Sequence, residues 1–248
     1  MILRVLGSSS SGNCYLLQSH RTGEVLTLEA GVDFKQVKRA IDYNLQKVVG
    51  CCITHEHGDH AKYARHFAEA HIPVLMSQGT YDALSLQGLS AVQTLKPRQP
   101  YTFGSFRIMP FPVQHDAKEP FGYLIQHHEC GTVLFATDTY YLRYRFAHLS
   151  NILIECNYSL ELLRHNMEQG LIDHKRYDRT VKSHMSYDTC RETLLANDLS
   201  EVNNIVLIHL SADNSNAEDF MQGIAEATGK NVTIAAPGMV IPFNKTPY

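Results

Sequence analysis

The stretch Thr54-His55-Glu56-His57-Gly58-Asp59-His60 sets three imidazoles and an aspartate within six positions, directly after the apolar run Val48 to Ile53. Such a density of donors points to metal chemistry. In an extended segment residues two apart share a side, so His55 and His57 can offer nitrogens to one ion. Asp59 and His60 lie beyond the turn at Gly58 and suit a second, neighbouring ion. The alternative is plainer: Asp59 caps a helix and the histidines are surface groups.

The elements that must position these donors show a second regularity. Cys51-Cys52-Ile53 leads to His55, Pro112-Val113-Gln114 to His115, Leu134-Phe135-Ala136-Thr137 to Asp138, and Val206-Leu207-Ile208 to His209. Donors delivered from the same ends of neighbouring strands converge on one rim, where open sheets hold their ligands. The candidate metal ligands are therefore His55, His57, Asp59, His60, His115, Asp138 and His209. A closed structural zinc site uses four donors, so this surplus implies two divalent ions with room for water and substrate.

Apolar runs of strand length alternate with helical patterns along the 248 residues, and no long linker intervenes. The pattern predicts one α/β domain over residues 1–248. Strands are expected at Ile2 to Leu6, Tyr15 to Gln18, Val25 to Leu28, Val48 to Ile53, Val74 to Met76, Phe106 to Pro112, Phe121 to Gln126, Thr132 to Ala136, Ile152 to Glu155, Ile205 to Ile208 and Val232 to Ile234. Helices are expected at Phe34 to Tyr43, Ala61 to Ala70, Tyr81 to Leu86, Ser159 to Glu168, Ser186 to Ala196 and Ala217 to Ala227. Between the first two strands, Gly7-Ser8-Ser9-Ser10-Ser11-Gly12-Asn13 reads as a polar turn beside a site.

At 44% hydrophobic residues the chain can bury a large core, and its net charge of -3 gives no global nucleic-acid footprint. A polyanion would have to be held locally. Met1 to Leu6 is too short an apolar run for a signal peptide, and no stretch approaches a membrane span, so a cytoplasmic protein without a membrane partner is expected. A homodimer is one option for its assembly. The six cysteines show no C-x-x-C spacing and read as buried free thiols.

The order H-x-H-x-D-H, then a His, an Asp and a last His, resembles the metallo-β-lactamase fold, whose architecture is a four-layer αββα sandwich. The chain is most similar to its YycJ/WalJ-like branch, of nuclease or phosphodiesterase type. The matching features are Gly7 to Asn13, Thr54 to His60, Pro112 to Ala117, Ala136-Thr137-Asp138, Glu155-Cys156-Asn157, Ser183-His184-Met185-Ser186 and Ile208-His209-Leu210-Ser211. The resemblance implies that His55, His57 and His115 bind one metal, Asp59, His60 and His209 the other, and that Asp138 bridges them. One departure stands out. Where the family has Asp-Ala-Gly after its early strand, this chain has Glu29-Ala30-Gly31, and the longer acid could turn a histidine and alter metal preference. Both Zn2+ and Mn2+ are therefore expected cofactors.

Hydrolysis is the expected reaction, with Asp59 and His184 as the expected catalytic residues. If His209 is a ligand, His184 in the echoing phrase His184-Met185-Ser186 is spare and suited to protonate a departing alkoxide. Its plainer role is to cap the helix starting near Ser186. Lys175, Arg176, Arg179 and Lys182 form a basic run that could grip phosphates or be a solvated face. Asn157, Ser186, Ser211 and Lys182 are the candidate substrate-binding residues. These groups favour a phosphodiester: a DNA or RNA exonuclease first, a phosphodiesterase of cyclic or short signalling nucleotides as the rival. A third reading, from another class, is a metal-binding interaction protein without turnover.

Overall fold

The computed structural model describes residues 1–247. In chain order the first half carries β1 (Ile2–Gly7), β2 (Cys14–Gln18), β3 (Val25–Leu28), α1 (Phe34–Ala40), β4 (Val48–Cys52), α2 (Gly58–Ala61), α3 (Ala64–Glu69), β5 (Val74–Met76), α4 (Gln78–Leu84) and β6 (Val92–Thr94). The second half carries β7 (Tyr101–Phe103), β8 (Phe106–Pro112), β9 (Phe121–His127), β10 (Gly131–Ala136), β11 (Leu149–Glu155), α5 (Leu160–Glu168), α6 (His174–Ser183), α7 (Tyr187–Leu195), β12 (Asn204–Ile208), α8 (Ala217–Thr228), β13 (Asn231–Ile234) and β14 (Val240–Pro242).

Among the described residues the strands form two seven-stranded sheets, ordered β14-β1-β2-β3-β4-β5-β6 and β13-β12-β11-β10-β9-β8-β7. Their residues are apolar on both faces, which is what a sheet between two covering layers requires. Leu26 and Leu28 of β3, Phe106 and Ile108 of β8, and Val206 and Ile208 of β12 meet in one core between the sheets. The alternate residues point outward. Val25, Cys51 and Val74 pack under Phe34, Val37 and Phe67, while Ile205 and Leu207 pack under Leu194, Phe220 and Ile224. The result is the four-layer αββα metallo-β-lactamase sandwich that the resemblance implied.

Most expected strands form within a few residues of their expected bounds. The differences have local causes. The expected helix Ala61 to Ala70 is broken into α2 and α3, because Tyr63 turns its N–H to the Ala30 carbonyl at 2.9 Å. Helix α6 was not expected at all. It starts on Asp173, whose side chain accepts from the Arg176 N–H, and rests on α5 through Tyr177 and Val181 over a small cluster with Leu163 and Ile172. Edge strands β6, β7 and β14, each three residues long, were also missed. None of the helices among the described residues is long and apolar enough to cross a membrane.

Two buried hydrogen bonds tie the two sheets together just before the histidine cluster. The Tyr123 hydroxyl of β9 donates to the carbonyl of Ile53 at 2.6 Å, and Phe121 N–H donates to the Thr54 carbonyl at 2.9 Å. Tyr123→Phe leaves the Ile53 carbonyl unsatisfied in the inter-sheet core. It is expected to lower stability by about 1–3 kcal/mol, read from the denaturant midpoint.

Candidate metal centre

The segment after β4 leaves the sheet at Ile53 and turns at Gly58 into α2, which is where its donors separate into two groups. His55 Nε2 lies 3.0 Å from His57 Nδ1, and His115 Nε2 lies 3.1 Å from the same His57 atom. The far nitrogens of two of these rings are already engaged. His115 Nδ1 donates to the Ser183 carbonyl at 2.8 Å, and His55 Nδ1 is 2.9 Å from Thr54 Oγ1. A neutral imidazole that donates through Nδ1 presents a bare lone pair on Nε2, so the Ser183 carbonyl holds His115 in the tautomer that a ligand needs.

The second group forms on the other side. His60 Nε2 and His209 Nε2 each lie 3.2 Å from Asp59 Oδ2. Asp138, at the end of β10, stands between the groups. Its Oδ1 is 3.3 Å from His60 Nε2 and its Oδ2 is 3.6 Å from His115 Nε2 and 3.9 Å from His55 Nε2. All seven sequence-predicted ligands are thus brought together, with His55, His60, Asp138 and His209 buried and His57, Asp59 and His115 half-buried.

The donor set fits divalent cations. Several imidazole nitrogens face one another with too few protons to pair them, and the carboxylates Glu29, Asp138 and Glu155 are buried beside them. Burial opposes ionisation of Asp138, yet His209 and His60 outweigh it and hold the carboxyl well below the usual range. His209 is pushed up to about 10: burial works against its proton, and Asp138 and hydrogen bonds to Asp59 and Glu155 prevail. His55, by contrast, is driven down chiefly by burial, which keeps it neutral. Such a concentration of buried negative charge asks for cations. A separate cluster of His127, His128 and Glu129 is self-satisfied, since His127 Nδ1 accepts from the Glu129 N–H and Glu129 takes the N-terminal ammonium at 2.8 Å.

The support beneath the centre was only partly foreseen. The turn Gly7 to Asn13 lines it: Asn13 N–H donates to the Asp59 carbonyl at 2.7 Å, and Ser8 Oγ accepts from His209 N–H at 3.1 Å. A Cβ on Gly31 would overlap the Asp59 carbonyl, so that close approach requires glycine. Glu29 Oε2 accepts from Thr54 N–H at 3.3 Å, while its Oε1 comes only to 3.5 Å from His60 Nδ1, and both of these last atoms lack a hydrogen-bond partner among the described residues. Glu155 was missed as a site residue, although it ends a strand as the other donors do. Its Oε1 accepts from His184 Nδ1 at 2.7 Å and faces His209 Nδ1 at 3.2 Å. Its Oε2 takes the backbone N–H groups of Thr139 and Met185 at 3.0 and 3.1 Å.

A cavity of about 350 Å³ opens over the cluster, with His57, Asp59, His115, Asp138, His184 and His209 along its lining together with Asn157 and Ser211. Asn157 spends its amide on the His209 carbonyl at 2.7 Å, whereas among the described residues Ser211 Oγ accepts from Asn214 and donates to none. Two expected substrate-binding residues do not line this cavity. Lys182 is exposed on the solvent side of α6, and Ser186 uses its hydroxyl as the N-cap of α7, accepting from Thr189 N–H. From the basic run Arg176 and Arg179 do reach the cavity. Each is already paired, Arg176 with Asp213 at 3.2 Å and Arg179 with Asp116 at 3.0 Å.

Comparison with known proteins places this geometry in context. Residues 26–210 match the model of the beta-lactamase superfamily domain. The chain is 28% identical to exodeoxyribonuclease YycJ of Bacillus anthracis, covering 86% of this chain and 84% of that protein. It is 27% identical to exodeoxyribonuclease WalJ of Streptococcus pneumoniae, covering 85% and 82%. Among solved structures, the metallo-β-lactamase fold protein YhfI of Bacillus subtilis aligns with a TM-score of 0.73 at 16% identity, over 97% of this chain and 98% of that one.

The unpartnered Glu29 and His60 atoms generate a test. Glu29→Gln removes the charge behind His60 without changing the size of the side chain. Metal affinity is expected to fall by about 10- to 100-fold, measured by competition with a chromophoric chelator; an unchanged affinity would mean that Glu29 does not orient His60.

Proposed function

The chain belongs to the beta-lactamase superfamily and is a hydrolase of the metallo-β-lactamase fold, and from this premise we propose that it is a dinuclear metal-dependent phosphodiesterase acting as an exonuclease, with DNA as its substrate. The observation that carries the reading is the pair of donor groups facing each other across Asp138, with a further imidazole, His184, in the same cavity. His55, His57 and His115 would hold one ion, Asp59, His60 and His209 the other, and Asp138 both. Zinc suits the imidazole-rich first group, and the carboxylates leave room for manganese. Bound there, two divalent ions would lower the pKa of a water and offset the charge that builds on the attacked phosphorus.

The chain's own residues supply the rest. His184 Nδ1 is fixed on Glu155, which leaves Nε2 for the cavity and for the leaving oxygen; this is its role as proton donor. The Ser211 hydroxyl can donate to a phosphoryl oxygen. Arg176 and Arg179 meet phosphate only by sharing or exchanging their carboxylate partners. DNA is favoured because both curated relatives are exodeoxyribonucleases. The cavity of about 350 Å³ over the donor groups leaves short signalling nucleotides as the second reading. A cytoplasmic setting is supported by six cysteines that are all buried and unpaired.

The deciding experiment is a panel of end-labelled single- and double-stranded DNA, RNA and cyclic nucleotides incubated with zinc or manganese. Stepwise shortening of DNA from one end is expected; turnover of cyclic nucleotides with DNA left intact would replace the nuclease reading. Elemental analysis after reconstitution should give close to two ions per chain, and Asp138→Asn should lower that content and nearly abolish activity, because a neutral amide bridges two cations poorly. His184→Ala should retain both ions and lose about 10²- to 10⁴-fold on DNA. On bis(p-nitrophenyl) phosphate, whose leaving group needs little protonation, the loss should be much smaller. Equal losses on both substrates would assign His184 to positioning.

A further inference from the structure

Between β10 and β11 the chain runs Tyr140-Tyr141-Leu142-Arg143-Tyr144-Arg145-Phe146 without helix or strand. Burial along it alternates. Leu142 and Phe146 are buried and Tyr144 is half-buried, all three packed into the core under the second sheet, while Tyr141, Arg143 and Arg145 are exposed. Tyr144 and Phe146 are held on Phe111, with ring centroids 5.9 and 5.0 Å away. A period of two is that of extended backbone, so Tyr141, Arg143 and Arg145 project to one side, about 6.5–7 Å apart. That repeat is close to the spacing along an extended polynucleotide backbone.

The charges on this strip differ from those at the cavity wall. Arg176 and Arg179 are paired with carboxylates, whereas neither Arg143 nor Arg145 has a salt-bridge or hydrogen-bond partner among the described residues. Tyr141 is 51% exposed, so a large ring stands in solvent on the same side as the two guanidiniums. Lone exposed rings are common on protein surfaces; rings interleaved with unpaired guanidiniums are the composition of single-strand binding surfaces.

The strip is also fixed to the candidate centre. It starts two residues after Asp138, and Thr139 Oγ1 accepts from Gln114 N–H at 3.0 Å while donating to the Tyr141 carbonyl at 2.8 Å. Tyr140 N–H donates to the Gln114 carbonyl at 3.2 Å, next to His115. We propose that Tyr141, Arg143 and Arg145 form a track that leads a single-stranded polynucleotide to the metal cluster, with a base stacked on Tyr141 and successive phosphates on the two arginines. This track rests on the nuclease reading above and extends it: the strand contacts lie outside the cavity, where a cyclic or short nucleotide would not reach. A duplex could use the arginines but not the ring, since its bases are already stacked.

The test is fluorescence anisotropy of a labelled phosphorothioate oligothymidylate, which resists cleavage, bound to the metal-loaded protein over a series of salt concentrations. Tyr141→Ala is expected to weaken binding by about 5- to 150-fold, and Tyr141→Phe to retain it. The double variant R143Q/R145Q should flatten the slope of log affinity against log salt by about 1.4, two single-strand phosphate contacts' worth. Melting temperatures close to wild type are expected for these exposed positions, and Tyr141→Phe guards the ring result against misfolding. Affinity and slope unchanged in every variant, with a wild type that binds, would overturn the track alone. A wild type that binds no oligonucleotide would overturn the nuclease reading and the track together.

Discussion

A buried carboxylate that faces imidazoles on two sides is the constraint on which the rest of this structure depends. Asp138 is 2% exposed, and its two oxygens look toward different histidine groups. An isolated charge at such a place would cost several kcal/mol, and removing its partners would cost more than the pair contributes. Every neighbouring element is arranged around that requirement. Strand β10 lies inside the second sheet, with β9 and β11 on its flanks, so its end cannot drift. Thr137 Oγ1 donates to Asp138 Oδ1 at 2.7 Å, which fixes the carboxylate plane before any cation is considered.

That fixing uses strained backbone. Glu29, Asp138 and His209 are non-glycine residues in the left-handed region, at φ of 67°, 48° and 55°. Such conformations cost about 1 kcal/mol or more each and persist only where the surroundings over-determine them. Here the surroundings are identifiable. Glu29 N–H donates to the Cys52 carbonyl at 2.8 Å, Ala30 N–H to His60 at 2.7 Å, and Gly31 N–H to Asn13 at 2.9 Å, so the first loop of the chain holds the histidine loop in place. The rigidity of the two-sheet core is thereby passed to side chains that must converge within a fraction of an ångström.

The same physics explains what the sequence revealed and what it hid. The donors were legible because each follows an apolar strand, and a strand buried on both faces leaves little freedom in where its last residue points. Three-residue edge strands such as β6 and β14 were not, because their pairing is set by neighbours rather than by their own pattern. Helix α6 lacked a conventional apolar stripe: it is polar over most of its surface and only Tyr177 and Val181 pack on α5. Without that helix the basic run had no faces. At about 100° per residue, Arg176, Arg179 and Thr180 share one arc toward the cavity, and Lys175 and Lys182 fall further round toward solvent. Lys182 looked like a substrate contact for want of this geometry. Glu155 was hidden differently, since nothing in a single glutamate after Ile154 tells of the four donors that surround it.

Those four donors make Glu155 a joint between parts of the site. It accepts from His184 and from the Met185 N–H at the end of α6, from the Thr139 N–H beyond Asp138, and it faces His209 after β12. The end of α6 is stitched a second time where His115 donates to the Ser183 carbonyl. Helix α6 therefore carries the arginines of the cavity wall, and His184 follows directly as its C-cap, in extended conformation, with its N–H donating to the Thr180 carbonyl at 3.0 Å. Arg176 and Arg179 on the helix and His184 just past its end all line the one cavity. The position of His184 relative to those arginines is thus set by its N–H on the Thr180 carbonyl and by its ring on Glu155, which also faces His209 and takes the Thr139 N–H.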